Sequence, residues 1–163
     1  MVELGRLIEL RGNVMNTVKE MLDNKGREVF TIGALQSAFE SVEKMAAVQV
    51  GALPVLDDTG QLVGIVSERD YVRKVILKNR SAADTSVSDI MTKDVFVARE
   101  DTTVDKCMAL MTHKKIRHLP IVEGQDLVGI IAVGDLLKFI IKQQSMTIEE
   151  LQSFIMEETG GSG

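Results

Sequence analysis

The chain has 163 residues, 45% of them hydrophobic and 26% charged, an ordinary composition for a soluble globular protein of one domain built from small halves. Nineteen Lys and Arg against 24 Asp and Glu leave a net charge of −5, which argues against a protein whose main partner is a nucleic-acid backbone. One cysteine, Cys107, and two histidines, His113 and His118, exclude an intrachain disulfide, a multi-cysteine zinc site and a histidine-rich metal cluster.

In chain order, Val2 to Val14 reads as a flanking helix with Leu4, Leu7 and Ile8 on one side. The first eleven residues carry two acids and two arginines and no signal-peptide core, and no apolar run approaches the roughly 20 residues of a membrane span. A cytoplasmic protein is therefore expected. A short strand follows at Val29 to Ile32, then an amphipathic helix over Gln36 to Val48, in which Ala38, Val42, Met45 and Ala46 recur at helical spacing. Leu53 to Leu56 and Leu62 to Ser67 read as a hairpin closed by Asp57-Asp-Thr-Gly60, and a second helix is expected over Tyr71 to Lys78. Asn79 to Ser88, rich in Ser, Ala and Thr, reads as a linker.

The remainder repeats this order. A strand at Val95 to Ala98 precedes a helix over Thr103 to Lys114 with a threonine N-cap, a hairpin of Leu119 to Val122 with Leu127 to Ala132, and a helix over Leu136 to Lys142. The offsets agree along the chain: Pro54 and Pro120 are 66 residues apart, Gly64 and Gly129 are 65 apart, and Asp70 and Asp135 are 65 apart. Val18-Lys-Glu-Met-Leu22 also echoes Val87-Ser-Asp-Ile-Met91 at an offset of 69. The expected fold class is α/β (α+β), two β-α-β-β-α repeats that bury their apolar faces on each other, with flanking helices at both ends. The expected boundaries are 1–14 for the first helix, 15–79 and 87–143 for the repeats about a linker at 80–86, 144–158 for a last helix and 159–163 for a flexible tail. That last helix opens at Thr147, with Glu150 in capping-box spacing, and carries Ile148, Leu151, Phe154 and Ile155 as a stripe suited to a subunit contact.

Two groups of residues carry candidate chemistry. Gly64-Ile-Val-Ser-Glu-Arg-Asp70 sets the Ser67 hydroxyl and the Asp70 carboxylate where a strand enters a helix, whose free N–H groups favour phosphate while Asp70 accepts from ribose hydroxyls. The alternative is that Ser67 and Asp70 merely cap the helix. In the second repeat Asp135 persists while Ala132 replaces the serine. Ile116-Arg-His-Leu-Pro120 places a guanidinium and an imidazole just before a buried strand, as an anion receptor or as partners of acids such as Glu123 and Asp126. The positions equivalent to Arg117 and His118 are Gly51 and Ala52, so two sites built this way are unequal. No catalytic constellation, metal-ligand spacing, P-loop or dinucleotide fingerprint is present, and binding is expected rather than turnover.

The doubled hairpin with Gly-x-x-Ser-x-x-Asp resembles a tandem pair of cystathionine-β-synthase (CBS) domains, the Bateman module, over about residues 15 to 143. It is most similar to stand-alone CBS-pair proteins, through Ser67-Glu-Arg-Asp-Tyr71, Asp89-Ile-Met-Thr92 and Ile116-Arg-His-Leu-Pro120. The resemblance implies two clefts between pseudo-twofold repeats, an adenosyl ligand (AMP or NAD(H) foremost, then ATP or S-adenosylmethionine) and homodimers. It implies a first site of Ser67, Arg69, Asp70, Thr92, Ile116, Arg117 and His118, and a second of Thr31, Val50, Gly51, Ala52 and Asp135, weakened by Ala132. The expected function is a non-catalytic adenine-nucleotide sensor acting on a partner protein. The alternative is a structural interaction module with vestigial clefts.

Overall fold

The structure, a computed structural model of the chain, describes residues 16–160, apart from the side chains of 146–148, 151, 154–155 and 157–160. The expected helix over Val2 to Val14 and the side chains of the Ile148, Leu151, Phe154 and Ile155 stripe lie outside the described residues. The chain forms α1 (Val18–Lys25), β1 (Ile32–Gly33), α2 (Ala38–Val48), β2 (Ala52–Leu56), β3 (Leu62–Ser67) and α3 (Glu68–Tyr71), which runs on as a π-helical turn over Val72–Ile76. It continues with α4 (Val87–Ile90), α5 (Val104–Lys114), β4 (His118–Glu123), β5 (Asp126–Ala132) and α6 (Val133–Gly160).

Local chemistry sets the boundaries. Ser37 caps α2 in a reciprocal box, its hydroxyl accepting from the Glu40 N–H at 3.1 Å while the Glu40 carboxylate accepts from the Ser37 N–H at 2.8 Å. Thr103 accepts from the Lys106 N–H at 3.2 Å and starts α5. Both helices end in a left-handed residue, Gln49 at φ 60° and Lys115 at φ 55°, which turns the chain directly into the following strand. Each strand then pairs antiparallel with its neighbour, with a register break at Val55/Leu56 in one hairpin and at the equivalent Ile121/Val122 in the other.

The two repeats exchange their first helices. Val18, Met21 and Leu22 of α1 are buried with Cys107, Leu119, Ile121, Ile131 and Leu136 of the second repeat, whereas Val87 and Ile90 of α4 are buried with Met45, Leu53, Val55 and Val66 of the first. A glycine makes room for each visitor. A Cβ on Gly129 would lie 2.9 Å from both methyls of Leu22, and one on Gly64 would lie 2.5 Å from the Met91 sulfur and 3.0 Å from the Thr92 carbonyl oxygen. Gly129→Ala is accordingly expected to destabilise the fold by about 1–3 kcal/mol through overpacking. Gly134→Ala, in α6 with nothing within 4 Å of the new methyl, is expected to stabilise it by about 0.5–1 kcal/mol. Urea denaturation of the two variants checks both signs, and a neutral Gly129→Ala would mean that α1 does not seat on the second hairpin.

Four expectations are corrected. The strand of Val95 to Ala98 is reduced to one parallel bridge, Ala98 with Ile121, and Phe96 and Val97 are 39% and 41% exposed, so they contribute no buried face to a sheet. The strand expected at Val29 to Ile32 is the two-residue β1, parallel to β2. The linker is ordered: the Thr85 and Ala82 carbonyls accept from the Ala38 and Phe39 N–H groups at 2.7 and 3.1 Å, and Val87 already belongs to α4. The separate helix at 144–158 does not exist, because α6 continues through Thr147, whose neighbours include no Gly or Pro to stop it.

Candidate functional site

A cavity of about 540 Å³, within the usual range for small-molecule sites, opens where the two hairpins meet. Its first wall is the turn from β3 into α3. Ser67 is the N-cap: its hydroxyl accepts from the Asp70 N–H at 3.2 Å, and Asp70 Oδ2 accepts from the Ser67 N–H and hydroxyl, both at 3.0 Å. Asp70 Oδ1 faces Lys74 Nζ at 3.2 Å, and the same ammonium donates to the Ile90 carbonyl at 2.8 Å. The capping alternative for Ser67 and Asp70 is therefore realised, on side chains that also line the cavity.

Thr92 is fixed by two backbone bonds to Ile65, one in each direction, at 3.0 and 2.8 Å. The opposite wall follows from the left-handed Lys115, which delivers Ile116, Arg117 and His118 to the cavity edge. The His118 ring lies over Gly51, where an added Cβ would stand 3.7 Å from Cε1 and Nε2. Burial pushes the His118 imidazole below its ordinary value, with Lys25 and Arg117 acting in the same direction and Asp135 and Glu68 against it.

All seven residues expected at the first site, Ser67, Arg69, Asp70, Thr92, Ile116, Arg117 and His118, line this one cavity. Of the second group, Gly51 and Ala52 line the same cavity, whereas Thr31, Val50 and Asp135 do not. Gly51 and Ala52 reach this cavity because the start of β2 faces His118 across the repeat interface. The Thr31 carbonyl accepts from Lys44 Nζ. Asp135 repeats half of the Asp70 arrangement: its Oδ2 accepts from the Ala132 N–H at 2.9 Å, and Lys25 Nζ lies 2.8 Å from the same oxygen.

A family model of the CBS domain matches residues 18–77 and, a second time, residues 87–142. The chain belongs to the CBS-domain family. A CBS domain-containing mitochondrial protein of Arabidopsis thaliana, CBSX3, is 30% identical over 156 residues, covering 91% of this chain and 76% of that one. A structure of a protein with CBS domains from Burkholderia ambifaria is 40% identical with a TM-score of 0.75, covering 79% of this chain and 96% of that one. The CBS domain pair of protein MJ0100, solved in complex with 5'-methylthioadenosine and S-adenosyl-L-methionine, is 26% identical with a TM-score of 0.71, covering 79% and 98% of the two chains.

In this CBS pair the cavity is electropositive against a chain of net charge −5. Arg69, Arg73, Lys74, Lys115 and Arg117 line it with only Glu68 and Asp70 as acids. Among the described residues Arg69, Arg73, Lys115 and Arg117 have no carboxylate within ion-pair distance, so four cations converge without counter-ions. Sequence reasoning missed Arg73, Lys74 and Lys115. Arg73 and Lys74 follow Asp70 at the three- and four-residue spacing of one helix face, a signal that was present. Among the described residues no three His, Cys, Asp or Glu side chains cluster as a metal site, and no helix is long and apolar enough to cross a membrane. Cys107 is buried in the second core, which pushes its thiol up to about 11 and leaves it protonated.

Proposed function

We propose that the protein is a non-catalytic regulatory module that binds a phosphate-bearing adenine nucleotide, AMP, NAD(H) or ATP, between its two CBS repeats and signals to a partner protein, as a homodimer. The observation that carries this reading is the convergence of four cations without ion-pair partners, Arg69 and Arg73 from one wall and Lys115 and Arg117 from the other, on a cavity that Asp70 also lines. Arg117 suits a bidentate phosphate contact, with Arg69 on the facing wall and Ser67 as a hydroxyl donor. A ribose hydroxyl on Asp70 Oδ1 displaces Lys74, whose ammonium is then free to turn to a phosphate. Thr92 and Ile116 flank the base. A cavity this positive disfavours S-adenosylmethionine, which brings a sulfonium cation of its own.

Because the walls come from both repeats, a bound nucleotide bridges them, and any signal rests on different affinities for two arrangements of the pair. One observation favours the second reading, a structural interaction module: the Ser67 and Asp70 side chains already satisfy each other as a cap. A thermal-shift panel of AMP, ADP, ATP, NAD, NADH and S-adenosylmethionine on nucleotide-stripped protein separates the two. A phosphate-bearing ligand at 100 times its Kd is expected to add about 2.7 kcal/mol of stability. No shift with any of them sinks the nucleotide reading in favour of the structural one.

A further inference from the structure

The exchanged helix α4, four residues long, is seated in the first core by Val87 and Ile90, both fully buried. A side chain of the cavity helps to hold it. The Ile90 carbonyl, left without a helical partner where α4 ends, accepts from Lys74 Nζ at 2.8 Å. The same ammonium stands 3.2 Å from Asp70 Oδ1, and Lys74, 43% exposed, lines the cavity together with Asp70. One lysine thus ties the aspartate of the candidate site to the end of the exchanged helix. The second repeat shows that the fold does not require a lysine here. At the offset of 65 that pairs Asp70 with Asp135, Lys74 corresponds to Phe139, which is buried in the second core. Asp135 does have a lysine partner, Lys25, which also donates to the Ile130 carbonyl, but neither Asp135 nor Lys25 lines the cavity.

Resting on the nucleotide reading of the cavity, we infer that Lys74 is a ligand-operated strap on the exchanged helix. In the free protein it holds Asp70 and α4 together. A nucleotide that sets a ribose hydroxyl on Asp70 and a phosphate near Arg69 and Arg73 takes one partner from the ammonium and offers it an anion, and the ammonium leaves the neutral Ile90 carbonyl. What is freed lies between the repeats. Residues 81–86 lead into α4 and bond the start of α2 through the Ala82 and Thr85 carbonyls, and Thr92 beyond it is tied to Ile65. Occupancy of the cavity is thereby converted into looser seating of the segment that joins the two repeats, the second arrangement that a signal needs. In the second repeat the same place is filled by the Phe139 ring, which no anion draws away.

The test follows backbone amide hydrogen exchange in the full chain, with and without saturating ATP, for wild type, Lys74→Met and Lys74→Phe. Methionine keeps the aliphatic stem of the lysine, and phenylalanine is the second repeat's own residue at this place. The Val87, Ser88, Met91 and Thr92 amides, bonded to the Gln36, Ala34, Val87 and Ile65 carbonyls, report on α4. On wild type, ATP is expected to slow exchange over residues 66–71 and 115–118 and to speed it over 87–92 by about three- to tenfold, the worth of one hydrogen bond. Free Lys74→Met is expected to exchange over 87–92 at the rate of ATP-bound wild type, and in both variants ATP is expected to leave that segment unchanged. The helix α1, strapped by Lys25 away from the cavity, is expected not to respond in any of them. Slower or unchanged exchange over 87–92 in ATP-bound wild type overturns the strap, and so does a wild-type rate there in free Lys74→Met. Failure of ATP to slow the cavity segments of the wild type is a separate result, the loss of the nucleotide reading, and faster exchange over 87–92 in free Lys74→Met would still uphold the hold of Lys74 on α4.

Discussion

Replacing Arg117 by alanine is expected to weaken ATP binding by about ten- to a hundredfold, the loss of a charge-assisted hydrogen bond worth about 1.5–3 kcal/mol. The unfolding midpoint of the free protein is expected to stay where it is, because the guanidinium makes no hydrogen bond or ion pair among the described residues. Asp70→Ala is the instructive contrast. It removes the proposed ribose contact and also half of the Ser67 capping box, so affinity and stability are expected to fall together, the latter by about 0.5–2 kcal/mol. Calorimetry beside thermal melts of both variants separates a receptor from a cap. Unchanged affinity in Arg117→Ala would move the phosphate to another part of the cavity. A lowered midpoint would make the residue structural.

The repeat made much of this architecture legible. Hairpins, caps at Ser37 and Thr103, and the pairing of Asp70 with Asp135 all follow from local chemistry that recurs at a fixed offset. What escaped is what local chemistry does not encode. The exchange of α1 and α4 between the repeats is a tertiary choice, visible in sequence only as the unexplained glycines Gly64 and Gly129. Thr147 with Glu150 has the spacing of a cap, yet a helix already running from Val133 leaves no free N–H groups there to be capped. Val95 to Ala98 has strand-like residues but pairs only through Ala98. In the site, the residues found were those with a motif around them, Ser67, Asp70, Arg117 and His118. Those missed, Arg73, Lys74 and Lys115, are basic residues on helices or at their ends, which sequence alone reads as solvated surface.

The same geometry ties affinity to pH through His118. Its imidazole, facing Arg117 on its own strand approach, Lys25 from α1, Glu68 from α3 and Asp135 from α6, is held below its ordinary value near 6.5 chiefly by burial. In the free protein the folded state thus takes up its proton at lower pH than the unfolded chain does. Stability from this group is present at neutral pH and is lost as pH falls through the ordinary value toward the depressed one. A phosphate in the cavity raises the imidazole, so binding takes up a proton and the sign reverses. ATP affinity is expected to climb as pH falls below the bound-state value, by up to about tenfold per pH unit, and to level off below the free-state value. ATP titrates its own phosphate in the same range, so the comparison is with His118→Gln, which keeps a hydrogen-bonding side chain but no titration. The wild-type profile is expected to be the steeper of the two. Coincident profiles would place the phosphate too far from His118 to share a proton with it, and would shift the anion toward Arg69 and Arg73 on the facing wall.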